Sequence, residues 1–195
     1  MRRGRSTAVL AMLIAGAIGV IASTQTWIDV TLDDGAQQTL AVPGADAVPV
    51  LTPLSLAALA LGAALSIVGP VLRYVFGVLG ILIAALVGIQ TAQVLLATPV
   101  SATAATVTEA TGISGTDAVA SLVASLSLTP WPAVTLLAQV VLAAAAVFTL
   151  VTARRWVSGA SRKYRTSAEA GGDAGRPHDA IDSWDDLSRG DDPTA

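Results

Sequence analysis

The sequence predicts an all-α membrane protein with four transmembrane helices, a small β-hairpin in the first extracytoplasmic loop and a disordered C-terminal tail. Three observations carry this. Hydrophobic residues make up 53% of the 195 residues and charged residues 13%, with a mean hydropathy of +0.68; so much apolar surface must face lipid. Four stretches, residues 6–23, 51–69, 74–97 and 131–153, contain no Asp, Glu, Lys or Arg and approach the roughly 20 residues a helix needs to cross about 30 Å of hydrocarbon. The basic residues are distributed one-sidedly between these stretches.

Residues 1–5 hold Arg2, Arg3 and Arg5 ahead of the first span. Arg73 sits in the short turn 70–73 between the second and third, and Arg154, Arg155, Arg162, Lys163 and Arg165 follow the fourth. The connections 24–50 and 98–130 carry Asp29, Asp33, Asp34, Asp46, Glu109 and Asp117 but no Lys or Arg. Under the positive-inside rule both termini are cytoplasmic and both longer loops are exported, as expected of a multi-pass plasma-membrane protein. Trp27, Trp131 and Trp156 fall at span boundaries, where an indole prefers the interface. The first span also has the basic and apolar regions of a signal peptide. Its apolar run is long, and Ala22-Ser23-Thr24 is a poor cleavage site, so an uncut anchor is the better reading.

In loop 24–50, Trp27–Leu32 and Gln38–Val42 are β-prone runs separated by the turn pair Asp34-Gly35, which predicts a small hairpin. Pro43-Gly44 ends it, and Pro53 enters the first turn of the second span, where a missing amide hydrogen does no harm. In loop 98–130, Gly112 and Gly115 mark a break, and Val119, Leu122, Val123 and Leu126 have the spacing of a short amphipathic helix over 116–126, with a polar loop as the alternative. Residues 154–195 turn from basic to Gly-, Asp-, Ser- and Pro-rich, a composition that predicts disorder and a basic segment held at anionic headgroups of the bilayer.

Candidate contacts within the membrane are the small residues Ala11, Ala15, Gly19 and Ser23 in the first helix and Gly80, Ala84 and Gly88 in the third, a spacing that lets backbones approach. Gln90, Gln93 and Gln139 lie at similar depth and predict an interhelical polar clasp, weighed against a lining for a small solute cavity. Chemistry has little to work with. Cysteine is absent and His178 is the only histidine, so thiolate metal sites, thiol nucleophiles and a catalytic triad are excluded. No glycine-rich phosphate loop is present, and a net charge of −3 without a basic stripe speaks against nucleic acid. No catalytic, cofactor or metal residue is expected. The acidic tail segment 182–194 contains Trp184 and Leu187 three residues apart, flanking Asp185 and Asp186, a spacing suited to docking one helical face on a cytoplasmic partner.

The segments Gln25-Thr26-Trp27, Leu40-Ala41-Val42-Pro43-Gly44, Pro49-Val50-Leu51-Thr52-Pro53-Leu54, Ser161-Arg162-Lys163-Tyr164 and the tail from Asp182 to Thr194 together resemble the tryptophan-associated transmembrane protein family. The resemblance implies a small membrane protein encoded beside tryptophan-biosynthesis genes in high-GC Gram-positive bacteria, without an established activity or catalytic residues to carry over. The expectation that follows is a noncatalytic accessory or scaffold that binds a partner. The alternative is a small transporter or exporter of tryptophan or a related metabolite, acting as a homo-oligomer because four helices enclose little space.

Overall fold

In the computed structural model, which describes residues 2–33, 38–97 and 99–153, helix α1 (Arg2–Thr24) runs directly into strand β1 (Thr26–Leu32). Strand β2 (Thr39–Pro43) and a single helical turn, α2 (Gly44–Ala47), lead to α3 (Leu51–Leu65). Helix α4 (Pro70–Ala97) returns toward the sheet end of the molecule. The short helices α5 (Ala104–Thr111) and α6 (Thr116–Leu122), strand β3 (Val123–Leu128) and helix α7 (Trp131–Thr152) complete the described chain. Gly112 closes α5 with φ 72°, the left-handed conformation that glycine adopts without a β-carbon penalty.

Three helices, Gly4–Thr24, Pro70–Ala97 and Trp131–Thr152, are long and apolar enough to cross a membrane; the apolar helix Leu51–Leu65 is shorter. The four pack around a common interior, with α1 between α3 and α7, and α4 against α7 and α3. Large apolar side chains point outward from all of them, among them Leu10, Leu56, Leu82 and Val140. An outer surface this apolar is the signature of helices solvated by lipid. Helix α4 begins at Pro70, so Arg73 belongs to its first turn instead of a separate connection and is only 1% exposed.

The hairpin expected in 24–50 is present, with Ile28 opposite Val42 and Thr31 opposite Thr39. The all-α description needs correcting, because a third strand joins it. β3 pairs antiparallel with the other edge of β1, giving the order β2-β1-β3. The amphipathic helix expected over 116–126 therefore stops at Leu122. Ser125-Leu126-Ser127-Leu128 alternates with period two, and its register sets Leu126 opposite Val30 and Leu128 opposite Ile28, a periodicity that suits a half-covered strand better than a helix turn. The expected disordered tail, with Trp184, Asp185, Asp186 and Leu187, lies outside the described residues.

Candidate functional site

The two loops fold into one cap on the ends of the helices. Its anchor is Trp27, fully buried, whose indole Nε1 donates to the carbonyl of Ala22 in the last turn of α1 at 2.9 Å. With the Gln25 amide, which donates to the same oxygen at 3.2 Å, that bond satisfies a carbonyl in the last turn of α1. Trp27 thus belongs to the core of the cap rather than to an interfacial belt. Gly44 is required beside it: a β-carbon there would lie 2.5 Å from Trp27 Nε1 and 2.6 Å from the Ala22 oxygen.

The second loop is tied to this anchor at several points. The Thr129 amide donates to Trp27 O at 2.9 Å and the Thr129 hydroxyl to Thr26 O at 2.7 Å. The Asp33 amide donates to Leu122 O at 2.8 Å, and the Thr106 hydroxyl donates to the Asp46 carboxylate at 2.8 Å. Val107 of α5 and Val119 of α6 are fully buried, so both short helices contribute to the core. The polar face of the sheet carries Asp29 beside Ser127. With Asp33, Asp46, Glu109 and Asp117, the cap presents carboxylates and, among the described residues, no Lys, Arg or His.

Beneath the cap, α4 and α7 meet along a seam of buried positions: Gly77, Gly80, Ala84, Val87, Thr91 and Val94 on α4, and Thr135, Gln139, Leu142, Ala146 and Thr149 on α7. The spacing of three and four is that of antiparallel helices packing knobs into holes. The far half of the seam is tight. A β-carbon on Gly77 would lie 2.5 Å from Leu150, and one on Gly80 3.1 Å from Ala146. The first and third helices do approach their neighbours at small residues: Gly19 lies against Ser55 of α3, and Gly80 faces Ala146.

The half of the seam nearest the cap is polar. Of the three glutamines expected to form a clasp, Gln139 is buried on the seam, Gln90 is half-buried and Gln93 exposed, and no hydrogen bond joins them among the described residues. Gln139 instead has buried hydroxyl neighbours on the same seam: Thr91 and Thr135 are 0% exposed. Threonine is unremarkable in an apolar helix, so the sequence alone does not single out these two. Their phase with Val87, Val94 and Leu142 was the signal available.

No curated protein and no solved structure matches the chain. A family model described as tryptophan-associated transmembrane protein matches residues 9–194, spanning the helices, the cap and the tail that carried the resemblance. With apolar helices that fit a membrane location, the chain belongs to the tryptophan-associated transmembrane protein family.

Proposed function

We propose that this chain is a noncatalytic accessory protein of the plasma membrane that crosses it four times, with both termini cytoplasmic, and binds a partner through surfaces on opposite faces: the acidic exported cap and the tail segment around Trp184 and Leu187. The observation that carries the topology is the pairing of β1 with β3. β1 directly follows α1 and β3 closely precedes α7, an arrangement that supports both loops lying on one side of the membrane. On this reading the chain between them crosses an even number of times. If α4 is one crossing, α3 is the other.

At 15 residues, α3 spans about 22 Å. Local thinning of the bilayer accommodates the shortfall. The Lys and Arg residues of the termini, together with Arg73, favour the orientation with the cap outside.

The binding role rests on chemistry and shape. The exported loops are not slack connections but a folded unit whose exposed charges are all negative, a surface suited to a basic partner. Among the described residues, no constellation of acid, base and nucleophile accompanies it. Crosslinking in native membranes followed by purification tests the reading. A protein partner is expected to co-purify, and Trp184→Ala/Leu187→Ala is expected to remove a cytoplasmic partner while insertion stays normal. Recovery of the chain without any partner at native expression would overturn the accessory role.

A further inference from the structure

Hydroxyl groups on membrane helices ordinarily satisfy themselves by donating to a carbonyl one turn back. The chain does this repeatedly: Ser23 to Val20 O, Thr149 to Ala145 O and Thr152 to Phe148 O, at 2.7, 2.8 and 2.6 Å. Three buried hydroxyls, on α3, α4 and α7, do not. Ser55 Oγ, Thr91 Oγ1 and Thr135 Oγ1 have no hydrogen-bond partner, and neither has the buried amide oxygen Gln139 Oε1. Each is more than nine-tenths buried, and a buried polar group left unpaired is costly.

These atoms are not scattered. Gly80 opposite Ala146 and Gly88 opposite Gln139 fix the antiparallel register of α4 and α7, and continuing it one turn toward the cap brings Thr91 level with Thr135. Met12 beside Gly80 and Ser55 against Gly19 set the levels of α1 and α3, which places Ser55 in the same zone. All four oxygens therefore fall within about two to three turns of the cap-end helix termini. Packing is also looser at this level: a β-carbon at Gly88 would make one ordinary contact, with Gln139 Cβ at 3.7 Å, whereas one at Gly77 would collide with Leu150 at 2.5 Å and one at Gly80 would press on Ala146 at 3.1 Å.

We propose that this layer, built around Thr91, Thr135 and Gln139, is a binding site for a small uncharged solute that offers N–H or O–H donors. Gln139 Oε1 accepts from the solute, and the threonine hydroxyls donate to it or accept from it. The spans lining the layer contain no charged side chain near it, so an ion would enter without a counter-charge. The site is independent of the docking reading and stands whether or not a protein partner exists.

The test uses the full chain in lipid nanodiscs with glutamine side chains labelled with nitrogen-15. Acetamide is the probe and acetate its charged counterpart. A saturable shift of the Gln139 side-chain signal is expected with acetamide, lost in Thr91→Val/Thr135→Val and absent with acetate. Gln90 and Gln93 serve as internal references, and their unchanged signals report that the double variant is folded. Should the variant not fold, the acetamide and acetate titrations of the unaltered chain still decide. A linear, unsaturable shift, an equal response to acetate, or a response retained in the folded double variant would overturn the proposal. So would a Gln139 signal in contact with water and indifferent to acetamide, which would make the layer merely hydrated.

Discussion

The two ends of the helix interior are built differently. Away from the cap, α4 and α7 meet closely at Gly77, where an added β-carbon would lie 2.5 Å from Leu150, and at Gly80, where it would lie 3.1 Å from Ala146. Next to the cap the same two helices enclose Thr91 and Thr135, whose hydroxyls are unpaired, and Gln139, whose Oε1 is unpaired, and a β-carbon at Gly88 would make only an ordinary contact. In lipid, helices gain little from burying apolar surface and associate through close packing. The far end therefore supplies the cohesion, and the cap end tolerates polar groups because the folded loops close over it.

Breaking the anchor between cap and helices has the largest expected effect. Trp27→Ala is expected to destabilise the protein by about 3–5 kcal/mol, as for other buried large-to-small changes, measured by denaturant unfolding in mixed micelles. Trp27→Phe shortens the ring and removes the indole donor, leaving the Ala22 carbonyl with only the Gln25 amide at 3.2 Å, for about 1 kcal/mol. If both variants unfold like the parent, Trp27 is not the anchor.

The contrast between the two ends is sharpened by a matched pair of substitutions. Gly77→Ala is expected to cost about 1–3 kcal/mol through overpacking against Leu150. Gly88→Ala, with ordinary contact only, is expected to be neutral or to gain up to about 1 kcal/mol from helix propensity. Equal losses at the two sites would mean that the seam is uniformly tight. Smallest is the link between the loops: Thr106→Val removes the hydrogen bond to Asp46 and is expected to cost about 1 kcal/mol, read most easily as faster hydrogen exchange in α5. Unchanged exchange there would show that this bond does not hold the second loop in place.

Much of this was legible in the sequence, where the physics is local. Charge-free runs mark α1, α4 and α7, and the β-prone runs either side of Asp34-Gly35 mark β1 and β2. β3 was missed because Val119, Leu122, Val123 and Leu126 satisfy a helical spacing while Ser125–Leu128 also alternates. Only pairing with β1, almost a hundred residues earlier, decides between the two. The burial of Trp27 was hidden for the same reason, since its environment is supplied by Gly44 and Thr129. Gln139 stood out as a polar residue in an apolar run. Its companions Thr91 and Thr135 become visible only once the register of α4 on α7 is known.

The claim on which the rest depends is that the two long loops form one cap on the outer face. The chain contains no cysteine, so single-cysteine variants report without background. Thr39→Cys in the first loop, Ser127→Cys in the second and Ser66→Cys at the end of α3, all at exposed positions, would be treated in intact cells with a membrane-impermeant maleimide. The account predicts labelling at positions 39 and 127 and labelling at 66 only after permeabilisation. Positions 39 and 127 reacting from opposite sides, or position 66 reacting in intact cells, would contradict it.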